Sequence, residues 1–223
     1  MNGPSWSIDT PFAYAGNHSL VLDGANDYVD VGGLSTALNG SSAFSISLWV
    51  RSDATGQDRA FWNGVDPSNA DTFGGRYDRT GWLNGNGGTT NLIKFGLTID
   101  GTNYQYESGA GYQTTDWQHL LFTWESGVGV NLYVDGVLDT PSEISAGFDT
   151  VNGSLSGQTR FLIGDGAKNH WGGRLDEVLV WRSALDGDNA EYLSGQSFAL
   201  VPEPGTATLL GLGLGLLAAR RRP

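Results

Sequence analysis

Phe44-Ser45-Ile46-Ser47-Leu48-Trp49-Val50 alternates apolar with small polar side chains, the period of two that sends successive residues to opposite faces of a β-strand. Arg51-Ser52-Asp53 ends the run. Further along, Val130-Asn131-Leu132-Tyr133-Val134 enters Asp135-Gly136 and leaves through Val137-Leu138. An Asp-Gly pair tolerates the positive φ of a tight hairpin turn, so this is a strand pair. Phe95-Gly96-Leu97-Thr98-Ile99, then Asp100-Gly101, then Tyr104-Gln105-Tyr106 repeats the pattern. Additional strands are predicted at Ser19 to Leu22, Tyr28 to Val31, Gln118 to Trp124, Arg160 to Ile163 and Leu175 to Trp181. Strands this frequent, with turn residues between them, predict an all-β two-sheet sandwich. Only Ser35 to Asn39 and Ala184 to Ser194 read as short helical turns.

Composition narrows what such a sandwich can do. The chain has 223 residues, 34 of them glycine, about twice the usual share of about 7%. Eight Trp, eight Tyr and nine Phe nevertheless argue for an ordered core. Twelve basic against 24 acidic residues give a formal charge of −12, which repels phosphate backbones and argues against nucleic acid as a partner. The absence of cysteine excludes disulfides, thiolate catalysis and cysteine zinc sites. His18, His119 and His170 are too dispersed for a helix-borne metal pair.

Asp53 to Asn91 is rich in Gly, Asn and Asp and carries Phe61, Trp62, Phe73, Tyr77 and Trp82. It reads as long loops holding one or two short strands, and long loops in a compact domain tend to carry function. Sugars are held by aromatic faces together with amide, carboxylate or guanidinium groups. Trp62, Tyr77, Trp82, Tyr104, Tyr106 and Trp171 are therefore the candidate ligand-binding aromatics, with Arg76, Asn84 and Asn86 as polar partners, and plain packing is the competing reading for the loop aromatics. Trp49, Trp117, Phe122, Trp124 and Trp181 fall on strand patterns and are expected in the core.

Four segments, in order, resemble the laminin G-like, concanavalin A-like jelly rolls. They are Ser19 to Val29, Phe44 to Val50, Trp117-Gln118-His119-Leu120 with Leu132-Tyr133-Val134-Asp135-Gly136, and Trp171-Gly172-Gly173-Arg174-Leu175-Asp176-Glu177-Val178 through Trp181, Ala184 and Leu185. The resemblance implies a jelly-roll domain over residues 18–197, preceded by a lead-in over 1–17. It also implies a calcium ion, Ca2+, held by Asp23, Asp27 and Asp176. Asp and Asn in so short a segment equally suit plain turn chemistry. Catalysis on this sandwich needs paired carboxylates flanking the scissile bond. Glu107, Glu125, Glu143, Glu177 and Glu191 are too widely spaced for the family's motif, and Asp176 and Glu177, as neighbours on a strand, should face opposite ways. A non-catalytic module is expected, with hydrolysis dependent on Glu177 as the competing outcome.

From Val201 the composition changes. Val201-Pro202-Glu203-Pro204 precedes an apolar run over 205–219 and then Arg220-Arg221-Arg222-Pro223. The tail carries a net +2, which leaves −14 on the body. At about 1.5 Å per residue the run reaches roughly 22 Å as a helix, against a hydrocarbon core of about 30 Å. It suits either a buried terminal helix or a short membrane segment. If it spans, the arginines stay on the cytoplasmic side. The order Val-Pro-Glu-Pro, apolar segment, Arg-rich end resembles the PEP-CTERM sorting signal over residues 198–223. That resemblance implies export, a transient hold in the inner membrane through 205–219, processing by an exosortase-type enzyme, and a cell-envelope or extracellular location. Proteins with this signal carry a secretory leader, and Met1 to Leu20 has neither a basic n-region nor an apolar h-region. The expected role is that of an adhesion or glycan-binding module for extracellular polysaccharide. The alternatives are an envelope or matrix protein without a specific ligand, and a divergent glycoside hydrolase.

Overall fold

A computed structural model describes residues 3–66, 71–79, 91–139, 143–144, 151–165 and 169–195. They form two antiparallel seven-stranded sheets. Sheet A runs in the order Ser5–Ser7 (β1), Ser19–Asp23 (β2), Gly172–Trp181 (β14), Ala43–Ser52 (β4), Gln118–Glu125 (β9), Gly129–Val134 (β10) and Val137–Leu138 (β11). Sheet B runs Glu143–Ile144 (β12), Thr102–Glu107 (β8), Leu92–Ile99 (β7), Asp71–Asp78 (β6), Arg59–Val65 (β5), Arg160–Ile163 (β13) and Val29–Asp30 (β3). Two short helices, Leu34–Leu38 (α1) and Gly187–Gly195 (α2), lie where helical turns are predicted. The architecture is the predicted jelly-roll sandwich. The C-terminal apolar segment and the whole sorting motif lie outside the described residues.

The period of two is visible in what each strand buries. Phe44, Ile46, Leu48 and Val50 of β4 face Phe122 and Trp124 of β9, and all six are fully buried. Across the interlayer, Trp62 of β5 packs edge-on to Phe122 at 4.6 Å between ring centroids, and Phe44 meets Phe73 of β6 at 4.8 Å. Such aromatic pairs contribute about 0.5–1.5 kcal/mol each beyond the area they bury. This aromatic layer fastens the two sheets together.

The structure corrects the reading of Asp53 to Asn91. Two strands of seven and eight residues occupy its described part, at the middle of sheet B. Their alternation is hidden in the sequence for two reasons. The β5–β6 register shifts between Ala60 and Trp62 and again between Gly64 and Val65, and Gly74 and Gly75 stand where β6 would otherwise show apolar and polar side chains. The first segment of the chain is likewise part of the sheet, because β1 pairs with β2 from Ser5↔Val21 to Ser7↔Ser19.

The outer faces of the two sheets differ. On sheet A, Leu121 and Tyr133 pack under Ala190 and Leu193 of α2. Nearby, Phe12 stands edge-on to Trp49 at 5.2 Å, and Asp9 forms ion pairs with Arg51 and Arg174 while accepting a 3.1 Å bond from the Trp117 indole. Trp49, Trp117 and Trp181 thus sit half-buried on this outer face and not in the interlayer core. On the outer face of sheet B the described residues leave a groove.

Candidate functional site

On sheet B the core takes alternate residues: Phe73, Gly75 and Tyr77 of β6, and Ile93, Phe95 and Leu97 of β7. Gly74, Arg76 and Asp78, with Lys94, Gly96 and Thr98, therefore belong to the outer face. Register aligns Asn63, Gly74, Gly96 and Gln105 in one row across β5, β6, β7 and β8, and Ala60, Arg76, Lys94 and Glu107 in the adjacent row. At about 4.8 Å per strand the first row spans about 14 Å. It has an amide at each end and bare peptide between.

A groove of about 260 Å³ follows these rows, lined among the described residues by Asn63, Gly74, Arg76, Lys94, Gly96, Asn103 and Gln105, with Trp62, Phe73 and Phe95 beneath. A Cβ at Gly96 would meet nothing nearer than the Tyr104 carbonyl oxygen at 3.5 Å, which is ordinary contact. Packing among the described residues does not require glycine there; its effect is to leave the floor of the trough bare. At Gly75 the opposite holds, because a Cβ would enter the indole ring of Trp62.

One end of the groove carries charge. Asp78 Oδ2 accepts from Arg76 Nη2 at 2.9 Å and lies 3.0 Å from Lys94 Nζ, which is 3.7 Å from Glu107 Oε1. Lys94, Asp78 and Glu107 are buried, and burial pushes the Lys94 ammonium pKa down while Asp78 opposes the shift. The strand alternation that juxtaposes Asp78 with Glu107 joins residues 29 positions apart. No sequence spacing would have paired them.

Of the residues predicted to bind ligand, Arg76 lines the groove and Trp82 lies outside the described residues. Trp62, Tyr77 and Trp171 are fully buried, and their assignment as stacking platforms is corrected: they are core. Trp171 and Tyr77 pack on Phe61 at 5.1 and 5.0 Å, and the Tyr77 hydroxyl donates to Gln118 Oε1 at 2.8 Å. The signal that could have found the site is the set of polar and glycine residues between apolar ones on β7 and β8.

The proposed calcium ligands do not converge. Asp23 Oδ1 accepts from the backbone N–H of Ala25 at 2.8 Å and Asn26 at 3.3 Å, and Asp27 Oδ2 accepts from Asp23 N–H at 3.3 Å. These bonds hold the Asp23 pKa below the usual carboxylate range. Both side chains thus serve their own turn. Asp23 pairs with Gly172, four residues before Asp176 on β14, a separation of about 13 Å. Among the described residues no three His, Asp or Glu side chains gather at metal-binding distance. The three aspartates do not fit a shared calcium ion.

Asp176 and Glu177 depart from strand alternation. A bulge shifts the β14–β4 register between Asp176 and Leu179, Glu177 takes φ +47°, and its N–H donates to Asp176 Oδ1 at 2.9 Å. Both acids consequently border one largely apolar cavity of about 320 Å³, together with His18, Trp6 and Val178. Burial pushes the Asp176 carboxyl up to about 6, and the adjacent Glu177 charge adds to the shift.

Comparison with known proteins agrees with this architecture. Residues 23–190 match the family described as the concanavalin A-like lectin/glucanases superfamily. Residues 200–222 match the PEP-CTERM protein-sorting motif, which indicates an exported, envelope-associated protein. A 78-residue stretch is 38% identical to the human adhesion G-protein coupled receptor D1, covering 32% of this chain but 8% of the receptor. Domain 4 of AbnA, an extracellular arabinanase of Geobacillus stearothermophilus solved with arabinotriose, has a TM-score of 0.55 at 17% identity, covering 86% of this chain and 81% of that one. The Ruminococcus gnavus sialidase module solved with α2,3-sialyllactose has a TM-score of 0.58 at 11% identity, covering 79% and 96%. At such identities these two likenesses concern the fold.

Proposed function

The chain belongs to the concanavalin A-like lectin/glucanases superfamily, and on that premise we propose that it is a non-catalytic glycan-binding module whose ligand lies in the outer groove of sheet B. The observation that carries this reading is the row Asn63, Gly74, Gly96, Gln105: two amides flank a stretch of bare peptide, and at Gly96 the described residues leave room for a side chain that the sequence does not supply. Amides fix sugar hydroxyls by donating and accepting at once. Two similar folds hold oligosaccharides. The nearest paired carboxylates, Asp78 and Glu107, are buried against Lys94 and are not among the groove's lining residues, which supports binding over hydrolysis. The sorting motif supports processing by an exosortase-type enzyme, with residues 205–219 held in the inner membrane and the three arginines on its cytoplasmic side.

Gly96→Val tests the site. Valine suits a strand and projects into the trough, so wild-type protein should give signal on an array of plant and bacterial polysaccharides that the variant loses while its Tm stays within a few degrees. Silence of the wild type across the array, or an unchanged signal from Gly96→Val, would overturn the placement.

A further inference from the structure

We infer that the groove recognises a carboxylate, and that its ligand is a glycan ending in an acidic sugar, with Arg76 and Lys94 receiving the acid group. This rests on the glycan-binding reading and specifies its ligand class. Arg76 and Lys94 are direct cross-strand partners on β6 and β7, a placement in which like charges repel. Asp78 holds both through one oxygen, at 2.9 and 3.0 Å. The arrangement is polarised: the two cations line the groove, while Asp78 and Glu107 stand outside its described lining. Arg76, with 23% of its side chain exposed against 3% for Lys94, is thus the cation of this cluster most open to the ligand space.

Burial weakens the charged form of Lys94, and an arriving carboxylate restores what burial removes. A guanidinium and an ammonium beside amide donors form the charge-assisted hydrogen bonds that carboxylates accept best. The net charge of −12 opposes a long polyanion, yet charges beyond about 8 Å are screened at physiological salt. A single terminal acid group meets the local field of the groove and escapes most of the global repulsion. The trough row, with the half-buried Gln105 at one end, then faces the sugar hydroxyls.

Matched ligand pairs decide the matter: α2,3-sialyllactose against lactose, and a glucuronosyl disaccharide against its glucosyl counterpart, titrated by calorimetry. At least one acidic member should bind roughly tenfold or more tighter than its neutral partner. Arg76→Gln should remove that preference, Arg76→Lys should keep part of it, and Gly96→Val should abolish binding of both members. The comparison between pairs tells nonulosonate from uronate recognition. Equal binding of acidic and neutral partners, lost in Gly96→Val, would overturn the carboxylate inference and leave the glycan-binding reading standing. Binding of neither pair, with a silent polysaccharide array, would remove both. Circular dichroism of Arg76→Gln and Arg76→Lys checks that the sheet persists. A preference surviving in folded Arg76→Gln would also overturn the assignment.

Discussion

Ser47 Oγ and His119 Nε2 lie 2.8 Å apart across β4 and β9, with both residues buried on the outer side of sheet A. The other ring nitrogen, Nδ1, has no hydrogen-bond partner among the described residues. An orphan N–H is costlier than an orphan lone pair, so the proton is assigned to Nε2, which donates to Ser47. Burial drives the His119 pKa down to about 4, and the imidazole is neutral in the fold. Between pH 6.5 and 4 the unfolded chain binds a proton that the native state refuses. Stability is therefore complete above pH 6.5 and falls as pH drops, by up to about 3 kcal/mol. Urea melts from pH 7.5 to 4 should show that His119→Gln gains stability relative to wild type as pH falls from 6.5 to 4.

Asp176 gives the opposite sign. Its folded pKa of about 6 lies above the ordinary value of 3.8, so the native state holds the proton more tightly between those limits. Its contribution is complete below pH 3.8 and is lost as pH rises through 6. Asp176→Asn keeps the oxygen that accepts the Glu177 N–H. The variant should melt higher than wild type at pH 7, and the gain should vanish by pH 4. In wild type the two slopes oppose each other from pH 4 to 6, so a flat profile there resolves into two sloping ones in the single variants.

Much of the fold is legible because β4 alternates cleanly and Asp135-Gly136 closes a hairpin with Asp135 at φ +50°. What stays hidden is the middle of sheet B. Bulges beside Trp62 and Val65 break its alternation, and glycine stands on both its inner and outer faces. The aromatics of that stretch therefore read as loop platforms when they are the core. The site is harder still to read. Its row of Asn63, Gly74, Gly96 and Gln105 exists only through register across four strands. Arg76 is visible in sequence as a polar residue among aromatics; its cross-strand neighbour Lys94 is not. The resemblance to calcium-binding jelly rolls suggested Asp23, Asp27 and Asp176 together, and strand pairing sets Asp176 about 13 Å away.

Chelation follows from that geometry. The Asp23 and Asp27 carboxylates are engaged by backbone N–H groups of their own turn. A ligand that binds only the native state raises Tm with its concentration. Adding calcium or removing it with a chelator is expected to leave Tm unchanged, whereas Asp23→Ala should lower it by removing the turn bonds. A concentration-dependent rise with calcium would show that other oxygens complete a site.

Asp139 joins two tyrosines. Its carboxylate accepts from the hydroxyls of Tyr106 and Tyr112, each at 2.6 Å, and ties the chain after β11 to the β7–β8 side of sheet B. Burial raises the phenol pKa of both, that of Tyr112 to about 12. Hydrogen bonds to a charged acceptor contribute about 1.5–3 kcal/mol. Asp139→Ala strands the buried Tyr106 hydroxyl and should cost about 3 kcal/mol in denaturant melts. Tyr112→Phe should cost less than Asp139→Ala, because the Tyr106 bond survives it.

Two glycines on neighbouring strands should respond in opposite ways, and the contrast tests which side of sheet B faces solvent. A Cβ at Gly75 would enter the Trp62 indole, which is packed against Phe122, Phe95 and Phe73 and has no room to retreat. Overpacking of this kind costs about 1–3 kcal/mol. Gly75→Ala should lower Tm accordingly. Gly96→Ala meets only the Tyr104 carbonyl at 3.5 Å, and replacing glycine within a strand restricts the unfolded chain. It should hold Tm level or raise it by the equivalent of up to about 1 kcal/mol. Thermal melts of the two alanine variants decide it: equal destabilisation would mean that the trough above Gly96 is filled in solution, and the groove would cease to be a site.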